Sequence, residues 1–260
     1  MNLKSIKATL LVAFIILTGT LTYWGLNKKE ATIDFNALSE KRNKDMQVQS
    51  EESFNNILKN IGNSTTVVKP EILQSEDTSK LSLSIQLLDT MKQHLYAAVL
   101  SEKLANLQNS AFRYHMAARY YLMATEKHEN ELMLYKKARV NLNKCIELDS
   151  SNLDAQVDLA VSVYNINSWE PSQNPMDMMQ PAKLLLGVVK RNPNHIDALY
   201  YLAKLSIETK QYEKAIERFK KLVSLQPQNR EFYLELSGIY SIMGNEQESK
   251  LWLEKAKSIQ

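Results

Sequence analysis

Four histidines, one cysteine and 29 carboxylates are the side chains of this chain that could do chemistry, and their spacing supports none. His94, His115, His128 and His195 form no pair four residues apart, and no cysteine adjoins one. A zinc site needs three or four such donors at helix or loop spacing, so no metal ligand set is expected. Cys145 falls at a small position within a helical pattern, where a free thiol is expected to be buried rather than nucleophilic. Glu213 and Glu217 alternate with Lys214, Arg218 and Lys221, the pattern of a solvated helix face. Met176, Met178 and Met179 cluster, and such methionines are expected as core filler. The glycines at 19, 25, 62, 187, 238 and 244 are too scattered for a phosphate-binding loop. No catalytic residue, metal, cofactor or small-molecule substrate is expected, and the chain is not read as an enzyme.

Binding is left, and binding needs a scaffold. Gly and Pro number six each, too few for a sheet protein with many tight turns. Leu, Ala, Lys, Glu, Gln and Met are abundant and favour helix. The formal net charge of +3 is too weak to point to nucleic acid. The expected fold class is all-α.

Residues 8–26, ATLLVAFIILTGTLTYWGL, carry no charge. At the helical rise of about 1.5 Å per residue they span roughly 28 Å, the thickness of a bilayer core. Lys4 and Lys7 precede the run, Lys28 and Lys29 follow it, and Tyr23 and Trp24 lie at its far end. A cleaved signal peptide is the competing reading, with a cut after Thr20 or Gly25, but Thr18-Gly19-Thr20 is a poor site. The run is therefore read as a membrane anchor within residues 1–27. A short basic tail before it favours an inner-membrane protein whose C-terminal part lies on the exported, periplasmic side. Residues 28–81 are polar and read as a mostly disordered tether. Phe54, Ile57, Leu58 and Ile61 have the spacing of a short amphipathic helix within it.

From residue 82 the pattern is helical. Ile85, Leu88, Met91, Leu95, Ala98 and Val99 share one face, which predicts a single helix to about Leu107. Beyond it the chain repeats. An offset of 34 places Leu199 on Tyr233, Leu202 on Leu236, Ala203 on Ser237, Ala215 on Ser249 and Phe219 on Leu253. Large positions stay large and small ones stay small, as two closely crossing helices require. An offset of 43 relates two earlier units, placing Met116-Ala117 on Leu159-Ala160 and Leu142 on Leu185. The extra residues lengthen helices in the first of these units. In the second they make a loop around Pro171 and Pro175.

Leu199, Leu202-Ala203, Tyr212, Ala215, Phe219 and Pro227, with Tyr233, Leu236-Ser237, Tyr240, Gly244, Ser249, Leu253 and Ala256 in the next unit, resemble the tetratricopeptide repeat (TPR). Ser206 departs from it where an aromatic is usual, and Leu222 where Ala is usual. The resemblance implies a helical solenoid over 82–260, with units at about 110–152, 153–195, 196–229 and 230–260. It also implies which side chains face the concave groove. Tyr114, Tyr121, Val157, Val161, Tyr164, Tyr200, Lys204, Ile207 and Leu234 are the groove residues expected to meet a protein or peptide partner. The basic set that clamps a C-terminal carboxylate in some TPR domains is absent, since Tyr114, Ala118 and Asp158 stand there. The overall plan is similar to bacterial envelope TPR assembly factors and chaperones, including the cytochrome c maturation type that holds an apocytochrome. The expected role is a membrane-anchored interaction scaffold or holdase, with cytochrome c assembly as the alternative.

Overall fold

The structure is a computed structural model that describes residues 70–126 and 130–259. The expected anchor over 8–26, most of the tether and the amphipathic segment at 54–61 lie outside them. Every regular element among the described residues is an α-helix. None of these helices is long and apolar enough to cross a membrane.

The described chain begins earlier in the solenoid than the sequence pattern suggests. Helix α1 covers Pro70–Gln74 and α2 covers Thr78–Thr90. Ile72 and Leu73 pack on the core, and Lys103 Nζ donates to the Leu73 carbonyl at 2.6 Å. Asp77 starts α2 by accepting from the Ser79 and Lys80 amides, which would otherwise be unpaired at the helix end. Residues 78–81 therefore belong to a packed helix and not to a tether.

The single helix expected to reach Leu107 is two. α3 covers His94–Gln108, and Lys92 between them adopts a left-handed φ of 54°. The Gln93 amide then donates back to Leu88 O at 2.8 Å, closing the end of α2. The same closure recurs where Lys210 (φ 57°) sends the Gln211 amide to Ser206 O, and where Gly244 (φ 74°) sends the Asn245 amide to Tyr240 O. α2 and α3 thus form a hairpin with the turn of the later repeats. No glycine marks the first two turns, so the sequence hides them.

Four further pairs follow: α4 (Ala111–Ala124) with α5 (Glu131–Leu148), α6 (Leu153–Trp169) with α8 (Gln180–Arg191), α9 (Ile196–Glu208) with α10 (Tyr212–Leu225), and α11 (Arg230–Ile242) with α12 (Glu246–Lys257). From α2 onward each of these helices packs on the next one in this order. Pro175 opens a one-turn helix, α7 (Pro175–Met178), inside the expected loop, and Asn174 caps it by accepting from the Met176 amide.

Apolar packing follows the small-and-large alternation of the repeats. Ala203 and Ala215 are wholly buried where α9 crosses α10. At the equivalent crossing of α11 and α12, Ser237 Oγ donates to the Ser249 carbonyl at 2.8 Å. A hydroxyl can reach a partner's backbone only where no larger side chain keeps the helices apart. Phe219, Tyr200 and Phe232 pack edge-on or tilted, with centroids about 6 Å apart. Leu222, standing where Ala is usual, is fully buried. Met176, Met178 and Met179 are not core filler: all three are exposed, because α7 lies over the surface rather than within a helix pair.

Candidate interaction groove

The first helices of successive pairs, α4, α6, α9 and α11, carry equivalent positions along the solenoid. These positions are more buried toward the N-terminal end than toward the C-terminal end. Tyr114, Val157, Tyr200 and Leu234 correspond; the first two are buried, Tyr200 is half-buried, and Leu234 is 41% exposed. Tyr121, Tyr164 and Ile207 also correspond; Tyr121 is fully buried, Tyr164 is 37% exposed and Ile207 is half-buried.

Three expected groove residues are therefore core residues. The Tyr121 hydroxyl donates to Glu102 of α3, and burial raises its pKa well above the ordinary phenol value, with Glu102 adding to the effect. Tyr114 donates to Asn106 of α3 at 3.1 Å, and the Lys144 ammonium lies 5.0 Å from its ring centre. Asn141 of α5 also reaches Glu102, and Lys144 reaches Asn106. These bonds tie α3 to the face of α4 and α5 that the repeat pattern assigns to a ligand. Val157 sits in a cluster with Leu185, Val188, Ala198 and Leu202, packed between α6, α8 and α9.

The remaining six are brought together. Val161, Tyr164, Tyr200 and Lys204 line a hollow of about 220 Å³ with Leu185, Tyr201 and Glu208. Lys204 continues into a second hollow of about 400 Å³ lined by Ile207, Glu231, Leu234, Glu235 and Ile242. Polar bonds here run from each first helix to the next one. The Tyr164 hydroxyl donates to Glu208 at 2.7 Å, Tyr200 to Glu231 at 2.8 Å and Lys204 Nζ to Glu235 at 2.9 Å. Each bond holds two neighbouring helices at a fixed spacing while leaving ring faces and aliphatic surface open. Partial burial and then the Glu208 carboxylate push the Tyr164 phenol up to about 12. Tyr200 moves in the same direction for the same reasons, with Glu231 as its acceptor. Both phenols are neutral donors near neutral pH.

The residues that could do chemistry join units to one another. His115 Nε2 meets Asp158 Oδ2 at 2.8 Å, across one 43-residue offset. His195 Nδ1 accepts from the Ala198 amide at the start of α9, which leaves Nε2–H to donate to Asp154 at 3.0 Å. Cys145 is fully buried beside Asn152, and burial raises its thiol pKa, the opposite of what a nucleophile needs. Among the described residues no group of three or more His, Cys, Asp or Glu side chains could hold a metal. Glu208 and Glu231 fix the two tyrosines, and nothing in local spacing shows such a bond.

The tetratricopeptide repeat family matches residues 182–234 and again 231–260. Together the two matches span residues 182–260, less than half of the chain. The helix pairs before them extend the solenoid beyond the matched part. Solved structures with a similar fold include a MamA structure from Desulfovibrio magneticus RS-1, 16% identical, covering 71% of this chain and 96% of its own with a TM-score of 0.55. A second MamA structure is 19% identical and covers 66% of this chain and 92% of its own, with a TM-score of 0.52. At this identity the likeness is one of fold, an all-α TPR solenoid. No curated protein matches the chain in sequence.

Proposed function

We propose that this protein is an interaction scaffold that captures an extended segment of a partner protein along α6, α9 and α11, and that the segment at 8–26 anchors it to a membrane. One observation carries the reading: six side chains from three repeats line two hollows that meet at Lys204. An apolar groove with a few fixed polar groups suits a peptide with aliphatic or aromatic anchors. The interhelical bonds from Tyr164, Tyr200 and Lys204 supply preorganisation, which lowers the ordering cost of binding. The uncharged run at 8–26 supports a membrane location, with the exported side as our reading of orientation.

The test is affinity capture with quantitative mass spectrometry from a solubilised membrane fraction. Wild type is compared with Leu234→Ala in the groove and with Leu251→Ala, an exposed residue of α12 outside both hollows. Partners lost with Leu234→Ala and kept with Leu251→Ala are expected. Identical capture by all three would contradict the groove.

A further inference from the structure

A second surface feature arises where the third repeat departs from the pattern. Ser206 stands where α4 has Tyr120 and α11 has Tyr240, and Arg218 stands where α12 has Trp252. Both changes remove ring volume from one place. Beside it, the insertion of the preceding repeat raises α7 and the start of α8 as a wall. Between them lies a hollow of about 700 Å³, within the range of ligand sites. Met178, Met179 and Leu186 line it and are exposed.

Arg218 is the unusual member. Its guanidinium donates to the Leu202 carbonyl at 3.3 Å and to Ser206 Oγ, both neutral acceptors. Among the described residues it makes no ion pair. Glu217, next to it on α10, acts on it only from a distance, and burial lowers its pKa. Lys214 also lines the hollow and donates to Gln211. Glu208, the lining carboxylate, already accepts the Tyr164 hydroxyl. A partly buried cation facing neutral acceptors leaves its charge uncompensated. A planar guanidinium offers a fork that fits a carboxylate. Methionine side chains adapt to aliphatic partners of varied shape.

We propose that this hollow binds an acidic peptide segment of a partner, with aliphatic side chains against Met178, Met179 and Leu186 and a carboxylate on Arg218. The charge preference is opposite to that of the groove, where Glu208, Glu231 and Glu235 face Lys204 alone. The four shared residues, Tyr164, Pro181, Leu205 and Glu208, let one extended chain run past the hollow toward the groove.

The experiment is a fluorescence anisotropy titration of the full chain with a labelled, end-blocked Leu-Leu-Glu-Leu-Leu peptide and its Gln twin. The Glu peptide should bind about tenfold more tightly than the Gln twin, as loss of one charge-assisted pair predicts. Arg218→Gln should erase that preference. The double variant Met178→Glu, Met179→Glu changes exposed residues and should weaken the Glu peptide by about tenfold or more through repulsion and lost apolar contact. Leu251→Ala, at an exposed residue outside all three hollows, should leave both affinities unchanged. Equal binding of the two peptides, no binding up to about 1 mM, or full affinity in the double methionine variant would overturn the proposal. If Arg218→Gln fails to fold, the methionine variant and the peptide pair still decide.

Discussion

Tyr121 and Tyr164 stand at the same place in two successive repeats, and each hydroxyl donates to a glutamate. Tyr121 bonds back to Glu102 in α3 and is fully buried; Tyr164 bonds forward to Glu208 in α9 and keeps part of its ring at the surface. The contrast holds for the whole face. In the N-terminal half, α3 closes over α4 and α5 through Glu102 and Asn106. In the C-terminal half, first helices are bonded to one another and the face stays open. A position in a repeat thus fixes direction but not exposure. Exposure depends on whether the neighbouring helix turns its polar side chains onto that face.

The largest expected difference is in stability. Tyr121→Ala removes a buried ring and one of the hydrogen bonds to Glu102, and should cost about 3–5 kcal/mol in a urea melt. Leu234→Ala, at an exposed position, should change stability by no more than about 0.5 kcal/mol. Comparable losses from both would erase the contrast between the two halves.

Ala203→Leu tests the C-terminal half from within. It would overpack the buried crossing of α9 and α10 and should cost about 1–3 kcal/mol by the same melt. An unchanged midpoint would mean that the helices are not held closely there.

How much of this was legible depended on what the signal was. Ala203 with Ala215, and Ser237 with Ser249, announced themselves because a close helix crossing admits few side chains, and their recurrence at a fixed offset exposed the repeat. The turn at Lys92 gave no warning, because a lysine in a left-handed conformation looks like any helix residue in sequence. The apolar period across it continues on both sides, so one helix was read where two exist. Met176, Met178 and Met179 were misjudged because composition cannot tell a buried methionine from one held at the surface by a one-turn helix. Six of the nine residues that the repeat pattern assigns to the groove line the two hollows. Tyr114, Tyr121 and Val157 do not, since their burial depends on partners in α3, α8 and α9 that no local spacing encodes.

In binding, Tyr200→Ala should weaken a groove-bound partner by about 1–2 kcal/mol, as loss of a half-buried aromatic anchor does, measured on the folded fraction. Tyr114→Ala should affect stability instead. If both variants lower only the melting temperature, Tyr200 is a packing residue and the open region shrinks to Leu234, Ile207 and Tyr164.

The smallest effect is in alkali. The neutral Tyr164 phenol is the form that donates to Glu208, and its pKa of about 12 lies above the ordinary value of about 10. Its contribution to stability is therefore complete below about pH 10 and is lost as pH rises through about 12. Tyr164→Phe should remove that part of the alkaline slope and lower stability at neutral pH by about 0.5–1 kcal/mol, the net worth of one partly exposed hydrogen bond. An identical slope in the variant would mean that the bond to Glu208 is not made in solution.

The most direct test of the central claim uses the four equivalent positions 114, 157, 200 and 234. A photocrosslinking amino acid is placed at each in turn in the full chain, and the membrane fraction is irradiated. Discrete adducts to a partner should form from 200 and 234 and not from 114 or 157 in protein that melts like wild type. Adducts from 114 in such folded protein, or none from 200 and 234, would contradict a groove confined to the C-terminal repeats.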